Sequence, residues 1–121
     1  MKEIWRIIKG FEDYEISNTG RVKSHKHGRE VILKQRVSHD GYVWYNLCMN
    51  GKQYTKRANR LVAEAFVNNP ENKPTVNHID GDKSNNNADN LEWATREEQM
   101  QHAYANGLKS QFEDIYKGIM F

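Results

Sequence analysis

Between Val76 and Trp93 the chain reads VNHIDGDKSNNNADNLEW. Residue types and spacing here could carry one kind of chemistry. His78 ends a short extended piece, and a histidine in that place can point into a cleft. Asn90, late in the polar loop that follows, can tie the loop backbone so that the histidine stays aimed. A helix beginning just beyond Trp93 can bring one more oxygen or nitrogen donor back to the same place. A hard divalent cation such as Mg²⁺ needs only one or two protein ligands when substrate phosphate supplies others. A neutral imidazole beside it can take a proton from water while the metal stabilises the charge growing on phosphate and leaving oxygen. The reaction implied is hydrolysis of a phosphoester. A lone histidine is more often structural than catalytic, and Asn85–Asn87 alone reads as loop filler, so the pattern has weight only as a whole.

The surrounding elements must position these groups. Pro74–Ile79 and Leu91–Ala94 read as two short strands. Thr95 followed by Glu98 has the spacing of a capping box, so a helix is expected from Thr95 to a glycine cap at Gly107. On it Gln99, His102 and Ala103 are i, i+3, i+4 neighbours, so His102 should lie near any cleft that Gln99 faces. Upstream, Arg60–Val67 has helical periodicity, with Leu61, Val62, Ala65 and Phe66 on one face, and Asn68-Asn69-Pro70 stops it. Before that the pattern is β: residues 4–8, 11–18, 21–24, 31–37, 42–49 and 52–57 read as strands of a small antiparallel sheet. Asn18-Thr19-Gly20, Asp40-Gly41 and Asn50-Gly51 are its turns. Phe112, Ile115, Tyr116, Ile119 and Met120 form a helical apolar stripe, which would dock on the chain's own core or offer a homodimer or protein-partner contact.

Composition limits the alternatives. The chain has 121 residues, a net charge of +2, 37% apolar and 28% charged residues and a single cysteine, Cys48. One cysteine excludes an intramolecular disulfide and a Cys-rich zinc site. Mean hydropathy is −0.95, and there is no apolar run long enough to span a bilayer. The start, MKEIWRIIKGFEDYE, lacks an apolar secretory stretch, so a cytoplasmic location is expected. The net charge hides an asymmetry: residues 1–60 carry 13 Lys+Arg against 6 Asp+Glu, and residues 61–121 carry 5 against 10. Such a basic half predicts a polyanionic partner. Arg21, Lys23, Lys34, Arg36, Lys52, Lys56, Arg57 and Arg60 are interleaved with Tyr42, Trp44, Tyr45 and Tyr54, as expected of a sheet that meets double-stranded DNA.

The motifs taken together resemble HNH homing-type endonucleases of phage or intron origin. Trp5-Arg6, Gly10-Phe11-Glu12, Tyr14–Asn18 and Gly20–Ser24 resemble the modular motif fused to these nucleases. Arg60–Phe66, Val76–Trp93, Thr95 and His102-Ala103 resemble the nuclease module. The resemblance covers nearly the whole chain and implies an α+β protein: a basic antiparallel-sheet DNA-binding region over 1–57, a ββα-metal module over 58–107, and an amphipathic C-terminal helix over 108–121. It implies that His78 is the general base, that Asn77 and Gln99 hold Mg²⁺ or Mn²⁺, and that Asn90 fixes the loop. His102 is placed with the catalytic group, within reach of a phosphate. One centre per chain implies nicking of one strand by a monomer. The chain departs from the family pattern at Asn59, where a histidine is usual, at Asn77, often an aspartate, and at Gln99, usually an asparagine. Asp80 or Asp82 could restore the missing negative charge. Asn59, Gln99 and the apolar tail also fit a second reading, a weak or inactive module of the same fold acting as a viral regulator or inhibitor.

Overall fold

In a computed structural model that describes residues 2–105, the chain forms three antiparallel sheets around one short helix. Strands β1 (Trp5–Ile8), β2 (Phe11–Ser17), β3 (Val22–Ser24) and β4 (Val31–Ile32) make a four-stranded sheet in that order. Strands β5 (Arg36–Val37), β6 (Val43–Met49) and β7 (Lys52–Arg57) make a second sheet. Helix α1 (Ala58–Phe66) follows, then the hairpin β8 (Thr75–His78) and β9 (Leu91–Ala94), then α2 (Arg96–Ala105). The expected α+β class is observed. The apolar stripe at 112–120 and the cap at Gly107 lie outside the described residues. No helix among the described residues is long and apolar enough to cross a membrane.

Two expectations need correction. Residues 31–37 are not one strand, and the first half is not one sheet. Val31 and Ile32 pair with β3, whereas Arg36 and Val37 pair with β6. Between them Leu33 turns inward, donates its N–H to the Val22 carbonyl at 2.9 Å and packs on the core. The segment therefore crosses from one sheet to the next. Alternation within a strand cannot show such a change of partner, because both halves keep extended backbone. The hairpin β6–β7 follows its turn signal. Asn50 and Gly51 have φ of 52° and 76°, the paired left-handed conformation of a tight two-residue hairpin turn.

One core joins the pieces. Alternate residues of β6 (Val43, Tyr45, Leu47), the inner face of β2 and β3 (Tyr14, Ile16, Val22) and α1 (Ala58, Leu61, Val62) form a single buried cluster with Val76 and Leu91 of the last hairpin. Helix α1 touches the first two sheets and the hairpin alike. Its small buried residues Ala58 and Ala63 let strands approach closely, and burying Leu61 and Val62 supplies roughly 1.5–3 kcal/mol each. The hairpin is thus fixed against the same helix that closes the N-terminal sheets.

The N-terminus is tied by charge as well. Glu3 receives both Arg21 guanidinium N–H groups, one at 2.9 Å, and this pairing lowers its carboxyl to about 2. A depressed carboxyl stabilises the fold above its unfolded value of 4.5, and that contribution fades as pH falls towards about 2. Glu3→Gln should therefore lower the melting temperature modestly at neutral pH, with the difference from wild type vanishing as the pH is taken down through that window. A difference that persists unchanged in acid would show that the ion pair is not its origin.

Candidate functional site

The last hairpin and α2 build the site. In β8 the side chains alternate, so Val76 and His78 face inward and Thr75 and Asn77 face the other way. Leu91 lies opposite His78, and Glu92 opposite Asn77. Helix α2 starts in the expected capping box: Thr95 Oγ1 accepts the Glu98 N–H at 3.1 Å, and Glu98 Oε1 accepts the Thr95 N–H at 2.9 Å. Two side chains one turn apart then fasten α2 to β8. Gln99 Nε2 donates to the Val76 carbonyl, and His102 Nε2 to the Ile79 carbonyl, both at 2.8 Å.

The His102 ring thus links the helix to the residue that follows Asn77 and His78. Asn90 ties the loop as anticipated. Its buried amide accepts the Asp80 N–H at 3.1 Å and donates to Asp80 Oδ1 at 2.9 Å and to the Asn85 carbonyl at 2.8 Å. Asp80 and Asp82 are engaged within the loop itself. Asp80 receives the Asn85 amide, the Asp82 N–H and Asn90, in that order of effect, and Asp82 receives the Ser84 hydroxyl and N–H; these bonds hold both carboxyls below their ordinary range. Both acids brace the loop and stay ionised as they do so.

The carboxylate at Asn77 is Glu92. Asn77 Nδ2 donates to Glu92 Oε1 at 2.9 Å. Asn77 and Gln99 therefore each have the amide nitrogen committed to a neighbour, which orients the amide oxygen. The Asn77 amide oxygen and the Glu92 carboxylate are hard oxygen donors of the type Mg²⁺ or Mn²⁺ takes, and Gln99 reaches the same strand from α2 at Val76. Among the described residues no group of three His, Cys, Asp or Glu is placed to hold a metal; Asn77, Gln99 and Glu92 are oxygen donors that could take one. Asn59, at the usual histidine position, is buried in the first turn of α1, where its Oδ1 accepts the Arg60 N–H at 2.8 Å.

His78 is more enclosed than expected, at 6% exposure. Apolar Leu91 lies opposite it in the hairpin, and its ring also meets polar and aromatic groups. Nε2 donates to Asn86 Oδ1 at 2.8 Å, and the ring centroid lies 6.2 Å from that of Tyr42. With the proton on Nε2, the lone pair is on Nδ1, the atom that can accept a proton. Asn86, Tyr42 and Lys83 were not legible as site residues. Asn86 belongs to a run of three asparagines, and no spacing distinguishes the one that turns inward.

A basic and aromatic face leads to this histidine. Across β5, β6 and β7, Arg36, Trp44 and Arg57 stand in one row, on the face opposite the buried Val43, Tyr45 and Leu47. Arg36 lies 5.6 Å from the Trp44 ring centroid. The Arg57 guanidinium lies 4.0 Å from the Tyr42 ring and the Lys83 ammonium 4.7 Å from it, and Tyr42 abuts His78. The remaining basic residues are scattered. Arg21 is paired with Glu3 and Lys23 lies over Trp5; Lys56 lies over Phe11, and Arg60 donates to the Pro74 carbonyl. Lys52 follows the hairpin turn, and Lys34 lies in the crossing between sheets.

The chain is similar to known proteins over most of its length. Residues 3–48 match the NUMOD4 motif and residues 56–101 the HNH endonuclease family. Two HNH endonucleases of Acanthamoeba polyphaga mimivirus are 43% and 45% identical over 108 and 113 residues; the matches cover 89% and 88% of this chain but only 32% and 27% of theirs. The DNA endonuclease I-HmuI of Bacillus phage SP01 is 41% identical over 112 residues, covering 88% of this chain and 63% of its own length. A solved structure of DNA binding and cleavage by the HNH homing endonuclease I-HmuI superposes with a TM-score of 0.80 at 38% identity, over 94% of this chain and 66% of that one. This chain thus spans about a third or less of the mimivirus relatives and under two thirds of the phage enzyme. The chain thus carries a NUMOD4 motif followed by an HNH endonuclease domain and is a homologue of I-HmuI.

Proposed function

We propose that the protein is a metal-dependent DNA endonuclease that hydrolyses one phosphodiester per binding event, nicking double-stranded DNA as a monomer. The observation that carries this reading is the path from Arg36, Trp44 and Arg57 through Tyr42 to His78. It joins a face suited to nucleic acid to a histidine whose Nε2 is engaged by Asn86. In this reading His78 Nδ1 takes the proton of the attacking water. Asn77 and Gln99, with Glu92 behind Asn77, hold Mg²⁺ or Mn²⁺, which when bound polarises the phosphate and stabilises the leaving oxygen. His102 and Asn90 keep helix, strand and loop in register. The relatives support the substrate class, since I-HmuI is a DNA endonuclease. Titration of Mg²⁺ or Mn²⁺ into supercoiled plasmid tests the reading: open-circular product that needs metal supports it, and intact plasmid at every metal level leaves a DNA-binding module.

Binding is carried by the sheet face. Each phosphate neutralised by a lysine or arginine steepens the salt dependence of affinity by roughly one unit of log–log slope. The double variant Arg36→Ala/Arg57→Ala should bind a DNA duplex more weakly at low salt and flatten that slope by about one to two, since Arg57 must first exchange Asp40, 3.6 Å away, for a phosphate. Arg21→Ala should leave the slope unchanged, since that guanidinium is occupied by Glu3. Equal slopes for the double variant and wild type would move the interface elsewhere.

A further inference from the structure

The N-terminal motif meets the nuclease loop at one turn. Asn18, Thr19 and Gly20 connect β2 to β3. The Asn18 carbonyl accepts the Ala88 N–H at 2.8 Å. The Asn18 side chain accepts the Ile4 N–H at 2.9 Å and donates to the Lys2 carbonyl at 3.0 Å, so the turn is anchored from its own side. The Gly20 carbonyl receives the buried Tyr45 hydroxyl at 2.7 Å. Gly20 has φ of +95°, and a Cβ there would stand 2.9 Å from the Cβ of Asn86. The turn is therefore pressed directly against the residue that holds His78 Nε2.

We infer that Asn86 is a positioning residue for His78, and that the Asn18–Gly20 turn sets Asn86, so the N-terminal motif forms part of the nuclease centre besides contacting DNA. A neutral imidazole carries its proton on either nitrogen, and the partner of one nitrogen decides which. Asn86 Oδ1 can only accept, which favours the proton on Nε2 and leaves the Nδ1 lone pair available. The Asn86 amide nitrogen is directed to the Lys83 carbonyl at 3.4 Å, consistent with oxygen facing the ring. Gly20 is the residue that permits this contact. A side chain at that position would strain the turn, push Asn86 aside and release the ring.

The inference rests on His78 acting as the base, so its test includes a readout independent of cleavage. Nitrogen-15 NMR of the His78 ring, taken above the ordinary imidazole titration range, should show the Nε2–H tautomer in the wild type. Asn86→Ala should give a mixture of tautomers, and Asn86→Asp, which keeps an acceptor oxygen, should restore the single form. Gly20→Ala should move the ring towards the mixture. In the plasmid assay Asn86→Ala and Gly20→Ala should lower kcat about 10- to 100-fold with little change in KM for DNA, and Asn86→Asp should recover part of the loss. An unchanged tautomer in Asn86→Ala overturns the role of Asn86, whatever the nicking result. An unchanged tautomer in a folded Gly20→Ala overturns the role of the turn. Should Gly20→Ala not fold, Tyr45→Phe decides, since it removes the anchor of the Gly20 carbonyl and should act in the same direction. Loss of nicking in His78→Ala with no tautomer change in Asn86→Ala would uphold the base and reject the brace.

Discussion

Replacing His78 by alanine is expected to reduce metal-dependent nicking of supercoiled plasmid by about 10²- to 10⁴-fold, the usual worth of a positioned general base. Binding should survive, because Arg36, Trp44 and Arg57 are held by the pairing of β5, β6 and β7, and only Arg57 is linked to the imidazole, through Tyr42. The truncation removes a buried ring and leaves Asn86 Oδ1 without its donor, a loss of roughly 1–3 kcal/mol if nothing replaces it. The site is polar, with the Asn86 amide on one side, so a water can enter the space and recover part of that. His78→Gln separates the two effects. It can still donate to Asn86 and fills much of the volume, so it should be the more stable variant, yet it cannot take a proton at neutral pH. Both variants should therefore be equally inactive while differing in melting temperature. Activity that follows stability, with His78→Gln near wild type, would remove His78 from the chemistry and leave it as a core residue.

How far the chain could be read before its structure differs from element to element. The β8–β9 hairpin, the capping box at Thr95 and Glu98 and the Asn50-Gly51 turn were legible because each is a local rule: alternation, a reciprocal side-chain cap and paired left-handed residues all act within a few positions. The change of sheet between Ile32 and Arg36 was not, because it depends on which distant strand offers a partner. The same division runs through the site. His78, Asn77, Asn90 and Gln99 stood out in a motif, and the structure brings them onto one hairpin and the helix fastened to it. Asn86 and Glu92 carried no local signal. One is distinguished only by the turn packed on it and the other only by lying opposite Asn77. For His102, helical spacing tells only which face a ring occupies, and the Ile79 carbonyl at its Nε2 comes from outside the helix. Asp80 and Asp82 show the converse: acids beside a metal-type motif are as useful for closing a loop as for binding a cation.

That Glu92 lies across from a neutral residue leads to the second large expectation. In Asn77→Asp two carboxylates would face each other across the hairpin, where Asn77 now donates to Glu92 at 2.9 Å. Like charges directly opposite in an antiparallel pair cost roughly 0.2–1 kcal/mol, and here a hydrogen bond is lost as well. Without added metal the variant should melt below wild type. A divalent cation reverses the balance, since the repulsion disappears when a positive charge lies between the two acids and an added carboxylate strengthens a hard-cation site. Affinity for Mn²⁺ should rise about tenfold or more, equivalent to about 1.4 kcal/mol of extra stabilisation at saturating metal. That corresponds to a metal-induced rise in melting temperature larger than the wild-type rise by about 4–8 °C. Glu92→Gln should act oppositely, weakening Mn²⁺ binding while sparing the metal-free fold, because a glutamine can still accept from Asn77. The double variant Asn77→Asp/Glu92→Gln should return to roughly wild-type affinity, as one carboxylate has been exchanged between neighbouring strands. The measurement is a thermal melt across a metal titration and needs no DNA. A Mn²⁺ response identical in wild type, Asn77→Asp and Glu92→Gln would place the cation away from β8 and β9, and the chemistry assigned to Asn77 and Gln99 would have to move with it.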